Sequence, residues 1–400
     1  MSNQGLSLAS LLFASVAFLV GCAGGERATE PPFQSSAEFP VPTGLEDAVD
    51  FWRNVYAKWG REKVVIHDDR HLGLIYEVSD LPGPIEESYT PAQKRFVRAL
   101  TQRWGHRLQA LEDKLADGLR LSASERELRE RVETEGGPRA IFGASERVRS
   151  QRGVRERFRR GLEVSGTYEP RFRDVFRRRG LPGDLAYLPH VESSFQLNAR
   201  SSAGASGMWQ FIRSTGQQYM TINSSIDERL DPVTAADAAA SYLQRSYAVL
   251  RSWPLALTSY NHGLGGMKRA KARYGDDIAR IVREYDGRYF GFASRNFYAE
   301  FLAARHVVRN AERYFPEGLR YRTPLTDQPM ILRYSATVDE LSRQYRVPRS
   351  MLIARNHAWL EPVRSGSHPV PSGSKIWLPL GVSRLASGSA RPAISYRGDL

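Results

Sequence analysis

The chain has 400 residues, 41% hydrophobic and 10% aromatic, which excludes a mainly disordered chain and exceeds what one compact core usually holds. Lys and Arg number 57 against 44 Asp and Glu, a net charge of +13 that favours an anionic partner without choosing among nucleic acid, membrane surface and acidic polymer. A single cysteine excludes an intramolecular disulfide framework and any zinc module built on cysteines.

That cysteine ends an N-terminal export pattern. Leu6 to Val20 is apolar, too short to span a bilayer comfortably but suited to the core of a signal peptide. It runs into Leu19-Val20-Gly21-Cys22, which resembles a bacterial lipobox. Residues 1–22 are therefore expected to be a lipoprotein signal peptide, with Cys22 acylated as the mature N-terminus, although Met1 to Ser10 carries no Lys or Arg. Ala23 follows in place of an acidic residue, which implies the periplasmic side of the outer membrane in the bacterial cell envelope. A protein held there has little access to nucleic acid. Residues 23–45, with prolines at 31, 32, 40 and 42, read as a flexible tether.

Residues 46–165 are read as a helical N-terminal region. Trp52, Val55, Tyr56 and Trp59 recur at helical spacing, as do Phe96, Leu100, Trp104, Leu108 and Leu111, each giving one buried face. From Glu146 to Val164, seven arginines surround Val154, Phe158 and Leu162; this is either a solvated face or a surface for an anionic polymer. His67 and His71 lie four apart, but neither the flanking residues nor the position of the carboxylates suits a zinc helix. No metal and no cofactor is expected.

The informative stretch begins at Gly180-Leu181-Pro182-Gly183-Asp184, a helix start. On a helix, Leu185, Leu188, Glu192 and Phe195 share one stripe, so Glu192 lies partly desolvated among apolar neighbours. Desolvation raises a carboxyl pKa, which suits a general acid; a structural ion pair with an arginine is the alternative. Pro189 is expected to bend this helix just before the glutamate. Gly204-Ala205-Ser206-Gly207-Met208-Trp209-Gln210 then places small residues before an aromatic and an amide. Asp231-Pro232 opens an Ala-rich helix, and the helix from Trp253 ends as Ser259-Tyr260-Asn261-His262-Gly263.

In order, Glu192-Ser193, Gly204 to Gln210 and Ser259 to Gly263 resemble the motifs of the soluble-lytic-transglycosylase domain family. The resemblance covers residues 166–315. It implies a mainly α, goose-type-lysozyme-like catalytic domain that cleaves the β-1,4 link between N-acetylmuramic acid and N-acetylglucosamine in peptidoglycan glycan strands. Glu192 would be the catalytic acid/base, and Ser193, Ser206, Gly207, Met208, Gln210, Tyr260 and Asn261 would bind substrate or hold the glutamate. The family's last motif has a Tyr before a Leu-Ala-Ala helix. Arg295-Asn296-Phe297-Tyr298 precedes Phe301-Leu302-Ala303-Ala304 here; direct alignment puts Phe297 at the tyrosine place, and Tyr298 is given its role.

A glycosidase that uses water needs two carboxylates. After Glu192 the next acidic residues are Asp227 and Glu228, and the motif segments themselves hold none. A single carboxyl suffices if the muramyl 6-hydroxyl is the nucleophile, giving 1,6-anhydro products. The alternatives are a catalytically inactive peptidoglycan-binding lipoprotein and a hydrolytic muramidase. Residues 329–381 read as strand, two helices and strand, with a capping box at Thr337, and resemble a degraded LysM-like glycan-binding module. Residues 382–400 read as a disordered tail.

Overall fold

The computed structural model describes residues 32–33 and 35–382, so the acylation expected at Cys22 and the tail from residue 383 lie outside the described residues. The fold is mainly helical, and residues 35–382 belong to one compact unit. The first helix, α1 (Glu46–Ala57), buries Val49, Trp52, Val55 and Tyr56.

The N-terminal region is not purely helical. Strands β1 (Lys63–Asp68) and β2 (Ile75–Asp80) precede helices α2 (Pro91–Ala116) and α3 (Ala123–Gly136), and β3 (Val148–Arg152) follows. The sheet has the antiparallel order β2-β1-β3, with Val65 opposite Val78 and Ile66 opposite Ser150. Alternation sends Val64 and Ile66 into the core formed with Leu100, Trp104 and Leu108 of α2. His67 is fully buried and contacts the Asp68 carbonyl. The Asp68 carboxylate pairs with Arg147 at 2.9 Å, so this segment is a buried polar strut.

Helix α4 (Arg155–Arg178) begins only after β3, so the arginine run is split between strand and helix. Several of its cations are already matched: Arg155 and Arg159 meet Glu317, and Arg160 meets Glu87. Helix α4 runs unbroken through residues 165 and 166, joining the N-terminal region to the part that follows.

A 3-10 turn, Gly183–Tyr187, leads into the short helix α5 (Leu188–Glu192). After α6 (Arg213–Gly216) come α7 (Pro232–Leu250), α8 (Trp253–His262), α9 (Leu264–Tyr274), α10 (Ile278–Glu284), α11 (Phe292–Arg309) and α12 (Ala311–Tyr314). Asp231 caps α7 by accepting from the Val233 and Thr234 amides at 3.0 and 2.8 Å. Helix α11 packs along α1 and reaches α5 and α8.

The C-terminal part has β4 (Gln328–Ile331), α13 (Val338–Tyr345), α14 (Arg349–Arg355), α15 (Glu361–Ser365) and β5 (Lys375–Leu378), the two strands pairing antiparallel. The Thr337 capping box forms with Glu340. Helix α15 is a third helix, where the sequence pattern gave two.

Candidate active site

Glu192 ends its helix. The stripe read through Phe195 is broken because Ser194 and Phe195 adopt left-handed backbone, φ 51° and 57°, which costs non-glycine residues energy and needs surrounding structure to hold it. The Pro189 carbonyl accepts from both the Ser193 and Phe195 amides, at 3.0 and 3.2 Å, and closes that reversal. Pro189 thus lies in the first turn of α5 and opens the helix where the sequence suggested a bend, since that turn needs no donor from it. Behind α5, Gly161 of α4 leaves no room for a side chain: a Cβ there would lie 2.9 Å from the Ser194 carbonyl.

The half-buried Glu192 carboxyl makes no hydrogen bond or ion pair among the described residues. Burial, with Glu300 nearby, pushes its pKa up to about 8. It therefore holds its proton near neutrality. His190, two residues before, packs its ring against Phe158 and Phe195, and burial pushes it down to about 3, so it stays neutral.

The loop from Gly204 to Phe211 faces this helix end. Ser193 is buried and its hydroxyl donates to the Met208 carbonyl at 2.8 Å, tying the two together. Ser206 is buried, and its amide donates to the Phe211 carbonyl at 3.1 Å, anchoring the loop on itself. Gly207 has φ +78°, and a Cβ there would lie 1.9 Å from the Arg229 carbonyl, so no other residue fits. Met208 and Trp209 are buried, and the Trp209 indole donates to the Pro232 carbonyl at 3.0 Å. Gln210, in left-handed backbone, donates its amide to the Gly207 and Ala199 carbonyls at 2.7 and 3.2 Å.

Tyr260 of α8 donates its hydroxyl to the Trp209 carbonyl at 2.9 Å, and Glu192 lies close enough to act on it electrostatically. The exposed Asn261 accepts from Ser294 at 2.8 Å. The structure thus brings Glu192, Ser193, Ser206, Gly207, Met208, Gln210 and Tyr260 into one constellation, with Asn261 at its edge. Tyr298 is a correction. It is fully buried and donates its hydroxyl to the Pro40 carbonyl at 2.7 Å, so it offers no group to a substrate. Its neighbour Phe297 stacks on Tyr260 at 6.4 Å, because adjacent helical residues point about 100° apart.

Three contributors escape the motif reading. Arg229 grips both Asp227 oxygens and also donates to the Gly204 and Phe211 carbonyls, each at 3.1 Å. It clamps both ends of the loop and takes Asp227 out of contention as a second carboxylate. Glu228 is occupied too, accepting from the Thr221 amide. Tyr56 of α1 stacks on Phe158 and lies near both Glu192 and Glu300. Glu300 itself lies on α11, between the two segments of the last motif, and burial pushes it up to about 8. The motif segments themselves hold no second carboxyl, but Glu300, between two of them, acts on Glu192. Its only sequence signal is one acidic residue in an otherwise apolar Ala-rich run.

Residues 177–282 match the Transglycosylase SLT domain. The SLT stretch contains Glu192, the 204–211 loop, Tyr260 and Asn261; Tyr56 and Glu300 lie outside it. The chain is 31% identical over 163 residues to membrane-bound lytic murein transglycosylase D of Escherichia coli K12, covering 39% of this chain and 33% of that protein. It is 28% identical over 168 residues to membrane-bound lytic murein transglycosylase F of Ectopseudomonas mendocina, covering 36% and 33%. The chain thus spans about a third of the length of these curated relatives. Among solved structures, lytic transglycosylase Slt of Pseudomonas aeruginosa superposes with a TM-score of 0.32 at 17% identity, over 48% of this chain and 29% of that one. Among the described residues no cluster of His, Cys, Asp and Glu is placed to hold a metal, and no helix is long and apolar enough to cross a membrane.

Proposed function

We propose that the chain is a peptidoglycan lytic transglycosylase with Glu192 as its acid/base. The observation that carries this is an unpartnered carboxyl, held protonated by burial, at the mouth of a loop within an SLT-matching stretch. Glu192 protonates the glycosidic oxygen as the C1–O bond breaks. The resulting carboxylate takes the proton from the muramyl 6-hydroxyl as that oxygen bonds to C1, which restores Glu192 and consumes no water. Ser193, Ser206, Gly207 and Met208 hold the loop and the glutamate in register. Gln210, Tyr260 and Asn261 supply amide groups and a flat ring to the glycan.

In this reading the enzyme works in the cell envelope, anchored to the outer membrane by lipid on Cys22, with residues 329–381 as a LysM-like module against the wall. The relatives' names, which place them at membranes, support the location. Mass spectrometry of muropeptides released by the purified protein tests the reaction: 1,6-anhydro ends are expected. Glu300 favours a second reading, a hydrolytic muramidase, which reducing ends would establish. A carboxyl that keeps its proton to about pH 8 is a poor base for water, which favours the intramolecular route. Replacing Cys22 by alanine is expected to abolish incorporation of radiolabelled fatty acid; undiminished label would remove the anchor from the proposal.

A further inference from the structure

The neighbourhood of Glu300 is set by its turn of α11. Asn296, four residues earlier, accepts from the Trp52 indole of α1 at 3.3 Å, and Phe297, three residues earlier, stacks on Tyr260. Residues three and four apart share a helix face, so Glu300 continues the face that looks onto α1 and the Tyr260 side of the site. Tyr56 of α1, buried and one turn beyond Trp52, lies near both Glu300 and Glu192. Neither carboxyl has a hydrogen bond or ion pair among the described residues. Helix α11 packs against α5, and Glu300 lies near enough to Glu192 to act on it electrostatically; two uncompensated carboxyls so placed resist ionising together.

We propose that Glu300 is a positioning residue that acts through Glu192: the two carboxyls titrate as a pair, and the charge on Glu300 keeps the proton on Glu192 as pH rises. The groups facing the pair are few. Tyr56 and Tyr260 have pKa values pushed well up by burial and stay neutral phenols. Arg157 of α4, which donates to the Ser193 carbonyl at 3.2 Å, supplies the nearby positive charge that acts on Tyr56. Buried His190 is neutral. Ionisation near neutral pH is thus left to Glu192 and Glu300, and the loss of a proton from either makes the second loss harder.

The proposal rests on Glu192 being the general acid, so the test separates the two. The basic limb of the kcat/KM profile of the full chain on purified sacculi reports loss of the acid's proton. In Glu300→Gln that limb is expected to move to lower pH by ~0.5 to 1 unit, so that the variant falls a further ~3- to 10-fold behind wild type across the limb. A variant-to-wild-type ratio constant across pH, as a merely structural role gives, would overturn the proposal. Carboxyl NMR of the wild type labelled with 13C-glutamate needs neither turnover nor a variant. The Glu192 and Glu300 signals should each respond over the same two steps, and two independent single steps would overturn it. Turnover by Glu192→Gln would instead defeat the general-acid reading, while leaving coupling in the titration to be read by itself.

Discussion

A carboxyl without a partner among apolar side chains is cheapest to bury with its proton on. Glu192 meets that description, and its chemistry and its stability effect carry the same signature. Glu192→Gln keeps shape and hydrogen-bonding capacity but cannot exchange a proton, so activity on sacculi should fall by ~10² to 10⁴. The sign of the stability effect follows from linkage. A carboxyl raised to about 8 in the folded state stays protonated there while the unfolded chain loses its proton from about pH 4.3 upward. Its contribution is present at low pH and is lost as pH rises toward 8. The melting temperature of Glu192→Gln minus that of wild type should therefore grow between pH 4.5 and 8, then level off. A glutamate in a structural ion pair would give the opposite trend, with the variant losing ground above the carboxylate pKa. Thermal scans of both proteins in a pH series decide between them.

Elements with local signals are legible in the sequence itself: Asp231-Pro232 opens α7, Gly263 ends α8, Thr337 and Glu340 cap α13. Their causes lie within a few residues of each other in the chain. The loop from Gly204 to Phe211 is legible as composition, but what holds it is not. Arg229 reads as one more arginine among fifty-seven cations, and only the fold turns it toward the Gly204 and Phe211 carbonyls. The three-stranded sheet depends on β1 meeting β3 some eighty residues later, and Tyr56 reaches the site only because α1 lies along α11. Tyr298 fails for a related reason, as one residue of register turns its hydroxyl to the Pro40 carbonyl. Two variants test the loop. Gly207→Ala places a Cβ against the Arg229 carbonyl in left-handed backbone, so the loop must move; turnover should collapse while far-ultraviolet circular dichroism at low temperature persists. Arg229→Ala leaves the buried Asp227 carboxylate unpaired and four contacts unmade, at a cost of about 3–5 kcal/mol. Urea denaturation should show that loss, and a change below about 1 kcal/mol would mean that the clamp is not structural.

At the scale of the molecule, the C-terminal part is built into the SLT-matching part rather than strung behind it. Asp227 donates its amide to the Ala358 carbonyl at 2.8 Å, and Leu360 donates to the Ser225 carbonyl at 3.0 Å. Ile226 belongs to the C-terminal core with Trp359, Leu341 and Ile376. The Trp377 indole donates to the second oxygen of Asp231, the residue that caps α7, and Lys375 donates to Thr234 at 3.1 Å. The same Asp227 holds Arg229, which clamps the loop from Gly204 to Phe211. A separable wall-binding module could be removed with loss of sacculus binding alone. Here, truncation after Phe315 should expose Ile226, leave the Asp227 amide without its carbonyl and loosen the α7 cap. The truncated protein is expected to melt lower and to lose activity on short soluble glycan fragments as well as on sacculi. Trp377→Phe keeps the apolar volume and removes only the donor to Asp231, so it should show a smaller loss of the same kind, about 1–3 kcal/mol for a buried bond to a charged acceptor. Full activity of the truncated chain on soluble fragments, at an unchanged melting temperature, would mean that this packing contributes nothing to the site.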